Sequence, residues 1–163
     1  MTIRIQTEDF DITKEINLLK EERSKQGKQD VGAIVTFTGT VRDMAKKDKA
    51  NKTPISSMSL EHYPGMTEKE LSDISEEANK RWPLLGTTII HRIGDLNPGD
   101  NIVLVITLSS HRHAAFEAAD FLMDFLKSKA PFWKKEQPLE GDANWVDARD
   151  SDKQALSRWE KQN

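Results

Sequence analysis

The sequence predicts an α+β fold with a mixed or antiparallel sheet, and three observations support that prediction. Helix and strand patterns are interspersed without the regular strand–helix–strand spacing of a parallel α/β sheet. Two apolar strand patterns, at 86–93 and 102–108, are separated by the turn residues of 97–100 and should form a hairpin or a close neighbour pair. The length of 163 residues suits one domain, which we place at 1–163.

The first part of the chain contains a strand, a helix and a longer strand. Residues 2–6 alternate as a short strand, and Thr13 begins a helix that runs to about Ser24. Residues 31–41 are rich in β-branched side chains, which predicts a central strand that ends beside Arg42. Taken alone, Arg42 is better explained as a solvated strand end than as a functional residue.

Residues 43–54 carry four lysines and show no apolar periodicity, so this segment is predicted to be a flexible basic surface loop. The alternation at 55–63 predicts the next strand. Thr67 and Glu70 match a capping box for the following helix, and Pro83 ends that helix.

The chain is organised around a helix that is predicted to follow Ser109 and Ser110 and to end before Pro131. Its apolar residues recur at helical spacing and predict a buried stripe: Ala114, Ala115, Ala118, Ala119, Leu122, Phe125 and Leu126. Cations flank this stripe on both sides, with His111, Arg112 and His113 at the start and Lys127, Lys129, Lys134 and Lys135 at and beyond the end.

The flanking cations have two interpretations. Basic residues favour the negative C-terminal end of a helix, and Lys127 is placed to pair with Asp124 in solvent, so a structural role is sufficient. Alternatively, the free backbone N–H groups at the helix start, with Arg112 beside them, can hold a phosphate. Periodicity does not choose between these interpretations.

Extended structure and a short helix are predicted after the organising helix. Residues 132–136 continue as a strand, and 145–148 suggest a short late strand. Ser151 and Gln154 match the cap of a final short helix.

Composition excludes several classes of protein. The chain has 24 basic and 27 acidic side chains and a net charge of −3, so no overall field attracts it to nucleic acid or to an anionic membrane. The sequence has no apolar run of membrane-spanning length and no apolar signal-peptide core near its start. We therefore expect a cytoplasmic protein.

Cysteine is absent, which excludes disulfides, thiolate metal sites and cysteine nucleophiles. If the protein performs sulfur chemistry, another molecule must supply the sulfur. The four histidines do not form a metal-binding motif, so neither a metal site nor a resident cofactor is expected.

Four long segments resemble, in order, the catalytic (large) subunits of molybdopterin synthase, the MoaE family. They read GAIVTFTGTVR, LEHYPGMTEKEL, RWPLLGTTIIHRIGDLNPGD and SSHRHAAFEAADFLMDFLKSKAPFWKKE, and the likeness extends over about 31–159. The main departure is the lysine-rich segment 43–54, which looks longer than is usual in the family.

The resemblance implies a fold, a reaction and partners. The fold is an α/β hammerhead core with an added antiparallel β subdomain. The reaction transfers two sulfurs to cyclic pyranopterin monophosphate and forms the dithiolene of molybdopterin. The sulfur arrives as a thiocarboxylate on the C-terminal Gly-Gly of a small ubiquitin-like partner, and two large subunits pair at the centre of a heterotetramer.

The resemblance also implies the site residues. Lys127 is expected to be catalytic and Lys134 to be the second essential lysine. Six further residues are expected to bind substrate: Arg42, His111 and Arg112 at its anionic groups, Phe37 and Met123 as pocket walls, and Arg149 near the pterin.

Helix geometry conflicts with a site built from one chain. Arg112 and Lys127 are fifteen residues apart without an intervening Gly or Pro, so one continuous helix separates them by roughly 22 Å. We therefore predict composite sites at a homodimer interface, where His111 and Arg112 of one chain meet Lys127 of the other. A non-catalytic scaffold that binds a phosphorylated metabolite or a small partner through the same cations is the alternative function.

Overall fold

The computed structural model describes residues 1–46, 52–146, 155 and 157–159. The helices are α1 (Ile12–Lys25), α2 (Met66–Arg81) and α3 (Arg112–Ser128). The strands are β1 (Thr2–Gln6), β2 (Ala33–Thr40), β3 (Met44–Lys46), β4 (Lys52–His62), β5 (Leu84–Arg92), β6 (Gly94–Leu96), β7 (Asn101–Ser109), β8 (Phe132–Pro138) and β9 (Asn144–Val146).

The first sheet has the strand order β1-β5-β7-β2. It is mixed, because β1 is parallel to β5 whereas β5, β7 and β2 pair antiparallel. The predicted pairing of the strands on either side of the 97–100 turn is confirmed. The prediction that β2 is central is wrong: β2 lies at the edge, where Ile34 and Phe37 remain 36% and 38% exposed. Its β-branched composition is shared by edge and central strands and does not distinguish them.

The second sheet is antiparallel, with the order β3-β4-β8-β9 and with β6 also paired to β4. The segment at 43–54, predicted to be a loop, has strands at both ends, because Met44 pairs with Pro54 and Lys46 with Lys52. Backbone pairing of this hairpin does not require the apolar alternation that sequence patterns detect. Residues 47–51, the remainder of the predicted loop, lie outside the described residues.

Helices cover both faces of the first sheet. Successive residues of a strand point to opposite faces, so Ile89 of β5 packs with α2 and α3 whereas Ile90 packs with α1. Leu122 of α3 and Leu71 of α2 are fully buried in the first of these layers. The continuous burial of β5 and β7 explains why their sequences read as apolar runs.

The capping box predicted for α2 is wrong. The α2 helix begins after Gly65, whose backbone N–H donates to the Glu68 carboxylate over 2.7 Å, so the cap precedes the predicted pair of Thr67 and Glu70. The Thr67 hydroxyl instead accepts a hydrogen bond from the Tyr63 backbone N–H.

The α3 helix is capped by His111, because Ser109 still belongs to β7 and Ser110 lies between the two elements. Neither serine is therefore the N-cap residue, although the Ser109 hydroxyl accepts a hydrogen bond from the His111 backbone N–H over 3.3 Å, and each hydroxyl also binds a neighbouring segment. Ser109 donates to the Pro83 carbonyl and Ser110 donates to the Asp30 carbonyl. The helix then continues without a break for 17 residues, as the spacing calculation assumed.

The last elements agree with their predictions as far as the structure describes them. The strands at 132–136 and 145–148 correspond to β8 and β9, although residues 147 and 148 lie outside the described range. Ser151 and Gln154 also lie outside it. Among the described helices, none is long and apolar enough to cross a membrane.

Candidate active site

A cavity of about 650 Å³ opens where the C-terminal end of α3 meets the second sheet and the end of β2. Five of the predicted site residues line it: Phe37, Arg42, Met123, Lys127 and Lys134. These residues come from separate parts of the sequence. The fold therefore brings together the cations and the pocket walls that the family resemblance implied.

Met123 and Lys127 come from the last turns of α3, where four-residue spacing places them on one face. Met123 is buried at 8% exposure, whereas Lys127 is exposed on the cavity. Lys127 forms no ion pair with any described residue. Asp124, its alternative partner, instead accepts hydrogen bonds from Arg158 at 2.6 Å and from the Trp159 indole at 2.8 Å. The structural explanation for Lys127 is therefore not supported.

Lys134 enters the cavity from β8 with a carboxylate beside it. Its ammonium group lies 2.9 Å from a Glu136 carboxylate oxygen, and the two side chains are 30% and 14% exposed. Residues two apart on a strand share a face, which explains the contact. Glu136 was missed by the sequence analysis, although its spacing from Lys134 on a predicted strand indicated that the two residues face the same way.

Phe37 and Arg42 reach the cavity from β2 and from the segment that follows it. Val41 fixes this end of the strand, because its backbone N–H donates to the Asp100 carbonyl and its own carbonyl accepts from the Gly99 N–H. Arg42 remains exposed, with its five donors available for an anion.

His91 of β5 also lines the cavity and was not assigned a role from the sequence. Its ring stacks on Phe132, with centroids 3.7 Å apart and planes inclined by 13°. Burial is the main cause that lowers the pKa of His91 to about 4, and the neighbouring His62 contributes to the same shift. A neutral histidine is therefore built into the wall of the cavity.

His111 and Arg112 do not reach this cavity. They lie exposed at the opposite end of α3, one helix length from Lys127. Arg149 lies outside the described residues. The structure thus assembles five of the eight predicted site residues and places two elsewhere on the same chain.

The chain is similar to known proteins along nearly its whole length. A family model described as MoaE protein matches residues 5–129. The chain belongs to the MoaE family. A relative from Mesorhizobium japonicum, named molybdopterin synthase catalytic subunit, is 52% identical over 159 residues, which are 97% of this chain and 92% of the relative.

Solved structures support the same assignment. The MoaE protein of Burkholderia ambifaria superposes with a TM-score of 0.78 at 48% identity, covering 98% of this chain and 97% of that protein. A complex of subunit 1 and 2 of the molybdopterin-converting factor from Helicobacter pylori has a TM-score of 0.67 at 20% identity, covers 91% and 90% of the two chains, and shows the fold alone.

Membership of the MoaE family confirms what the four sequence segments indicated. The chain has the α+β fold of its solved relatives, with a mixed sheet and a second antiparallel sheet. Its family comprises catalytic subunits of molybdopterin synthase, which act in molybdenum cofactor biosynthesis. The alternative of a non-catalytic scaffold is not favoured.

Proposed function

We propose that this chain transfers sulfur from the C-terminal thiocarboxylate of a small ubiquitin-like partner to cyclic pyranopterin monophosphate, producing the dithiolene of molybdopterin. The observation that carries the proposal is the meeting of Lys127, Lys134 and Arg42 in one cavity. The substrate phosphate, the thiocarboxylate and any oxyanion formed during transfer are all negative. Cations in a partly enclosed cavity stabilise such charges more strongly than they would in water.

Lys127 is the residue best placed for catalysis. Its ammonium group forms no ion pair with a carboxylate among the described residues. The buried Met123 lies on the same face of α3 and limits access of water to Lys127. A lysine in this position serves as a general acid, a general base or a nucleophile. Lys134 is held by Glu136, which fixes its ammonium group and makes it suited to binding an anion.

Each transfer breaks the carbon–sulfur bond of the thiocarboxylate and forms a carbon–sulfur bond on the pterin in place of one of its carbon–oxygen bonds, so the displaced oxygen leaves as water or stays on the phosphate. Water supplies the oxygen that returns the carrier to a carboxylate. The chain contributes no sulfur, in agreement with its lack of cysteine.

The partner's C-terminal tail is proposed to lie along Phe132 to Lys135, at the edge of the cavity. Trp133 and Trp145 are 47% and 54% exposed there, and the Lys135 ammonium group lies 5.6 Å from the Trp145 ring centroid. Aromatic walls with adjacent cations suit an extended peptide that ends in a carboxylate. The Helicobacter pylori complex supports the idea that a subunit with this fold binds a second subunit.

We further propose that two copies of the chain pair through the free edge of β2 and complete each other's sites. Among the described strands, β2 is bonded only to β7, so its outer edge offers unpaired backbone groups. Ser109 and Ser110 bind the segment before β2, through the Gly32 N–H and the Asp30 carbonyl, so the start of α3 lies at the N-terminal end of β2.

The consequence of this placement is geometric. Antiparallel pairing about a two-fold axis sets the Arg42 end of one β2 beside the Gly32 end of the other. His111 and Arg112 of the second chain then approach the cavity that contains Lys127 of the first. This arrangement resolves the separation of roughly 22 Å along α3. We propose a heterotetramer with this dimer at its centre, a single domain in each large subunit, and a cytoplasmic location.

The proposed function is tested with purified chain, thiocarboxylated partner and cyclic pyranopterin monophosphate. Lys127→Ala should lower the rate of molybdopterin formation by about 10² to 10⁴, the range for removal of positioned acid–base chemistry. Lys80→Ala is the matched control, because Lys80 lies exposed in the last turn of α2 and outside the cavity. Wild-type turnover by Lys127→Ala, or no gain of two sulfurs by the pterin with wild type, contradicts the proposal.

The composite site is tested by mixing Lys127→Ala chains with Arg112→Ala chains under subunit exchange. A mixed dimer then contains one intact site and one doubly damaged site, so activity should return toward one active site per mixed dimer. If each site is built from one chain, every site stays damaged. Mixed dimers that form without any recovery of activity exclude the composite arrangement.

A further inference from the structure

His91 is a buried residue whose hydrogen bonding leaves one ring nitrogen available. The side chain lies on β5 with only 8% of the residue exposed, and it lines the cavity that contains Lys127. Its Nδ1 atom is 2.8 Å from the carbonyl oxygen of Arg92. A carbonyl only accepts hydrogen bonds, so Nδ1 must carry the proton.

The neutral ring therefore has an unprotonated Nε2 with a lone pair. No described residue donates a hydrogen bond to this atom. The stacked ring of Phe132 covers one face of the imidazole, and the Nδ1 contact fixes its rotation. His91 thus presents an oriented acceptor, whereas the nearby side chains of Arg42, Lys127 and Lys134 present donors.

We infer that His91 is a substrate-binding residue that accepts, through Nε2, a hydrogen bond from an N–H group of the substrate's heterocycle. The inference rests on the proposed pterin substrate and deepens it. A reduced pterin carries ring N–H and amino donors as well as a phosphate, so a site made only of cations would satisfy the phosphate and leave those donors unpaired. The Glu136 carboxylate in the same cavity is paired with Lys134, so His91, held against Phe132 in one tautomer, supplies an acceptor that is neither charged nor already paired.

Two conservative substitutions separate binding from a purely structural role. In His91→Asn the amide nitrogen takes the position of Nδ1, so the bond to the Arg92 carbonyl is kept while the acceptor at the position of Nε2 is lost. In His91→Gln the longer side chain places an amide oxygen near the position of Nε2. A binding role predicts that Gln is the better replacement, whereas a structural role predicts that Asn is better.

The experiment measures the dissociation constant for cyclic pyranopterin monophosphate with the assembled protein, together with the melting temperature of each variant. His91→Asn should weaken binding about tenfold, as expected when one hydrogen bond to a buried donor is lost, and His91→Gln should stay within about threefold of wild type. His62→Asn is the matched control, because His62 lies next to His91 but does not line the cavity.

A second measurement needs no substitution of the site. In wild-type protein labelled with ¹⁵N-histidine, the resonance of the unprotonated Nε2 of His91 should move upfield when the pterin binds, and the His62 signals should not. This inference alone is overturned if His91→Asn binds the pterin as tightly as His91→Gln or more tightly. It is also overturned if the Nε2 resonance of His91 does not move in protein saturated with the pterin. Failure of wild type to bind the pterin overturns it together with the proposed function.

Discussion

Single side chains determine which charges remain available at the site. Asp124 follows Met123 on α3 and is close enough in sequence to neutralise Lys127, yet Arg158 and Trp159 hold its carboxylate on another side of the helix. Glu136, by contrast, does pair with Lys134. The two lysines are therefore in different electrostatic environments, which fits one catalytic role and one binding role.

His91 should make the protein sensitive to acid. Its pKa is about 4 in the folded chain and 6.5 in the reference state, so between these values the unfolded chain binds more protons. The free energy of unfolding should therefore fall by roughly 3 kcal/mol as pH falls through this window, and His91 should add no further loss below it. The neighbouring His62 lowers the pKa of His91 in the same direction as burial.

Urea unfolding between pH 7.5 and 4.5 tests this prediction. His91→Phe should remove most of that pH dependence, whereas His113→Asn should keep it, because the His113 side chain is 82% exposed. Parallel curves for wild type and His91→Phe would show that the imidazole is not responsible.

At the scale of elements, an aromatic cluster joins the end of the described chain to two helices. Trp159 meets Trp82 and Phe121 at centroid distances of 5.6 and 5.4 Å, and its carbonyl accepts a hydrogen bond from Arg81. Edge-to-face contacts of this kind contribute beyond the area they bury. The cluster fixes α2 against α3 and also restrains Asp124.

Trp159→Ala should lower the free energy of unfolding by about 3 to 5 kcal/mol, the usual cost of truncating a buried tryptophan. Trp159 is only 5% exposed, whereas Trp133 is 47% exposed, so Trp133→Ala should cost under about 1 kcal/mol. Chemical denaturation of the three proteins gives the comparison. Equal losses for the two variants would mean that the cluster adds no stability.

Elements were predicted well where the pattern is local. The buried stripe of α3 and the paired strands around the 97–100 turn follow from periodicity and turn chemistry. The edge position of β2 and the caps of α2 and α3 depend on tertiary neighbours that no local pattern contains. The contact of Glu136 with Lys134 follows from their two-residue spacing on β8, which indicates a shared face but no role. The stacking of His91 on Phe132 joins two distant parts of the sequence, so no local pattern contains it.

The site set itself came from the family resemblance rather than from periodicity. Local sequence patterns are compatible with Lys127, Lys134 and Arg42 as solvated surface cations. Only the long family motifs assigned all three residues to one site. The structure brings these three residues to one cavity and leaves Arg112 at the far end of α3. Helix geometry had already predicted that separation, because it depends only on residue count.

At the scale of the whole molecule, the proposed dimer makes a prediction about the β2 edge. Thr36 is exposed near the middle of β2, so Thr36→Lys places like charges across the two-fold axis and should favour the monomer. Sedimentation should show the loss of dimer, and sulfur transfer should fall although Lys127 and its cavity are unchanged.

Leu18→Lys is the control for this test, because Leu18 is 47% exposed on α1, a helix that packs against β5. It should remain dimeric and active. A Thr36→Lys protein that stays dimeric would place the interface on another surface, and a fully active monomer would exclude composite sites.

The unbroken α3 helix has a consequence for how activity depends on protein concentration. Because its two ends are proposed to serve two different sites, a dissociated chain retains parts of both sites and a whole version of neither. Specific activity should then decline on dilution along the same curve as the dimer population, instead of staying constant as it does for an enzyme whose subunits work alone. The dissociation constant of the large-subunit dimer would be readable directly from turnover.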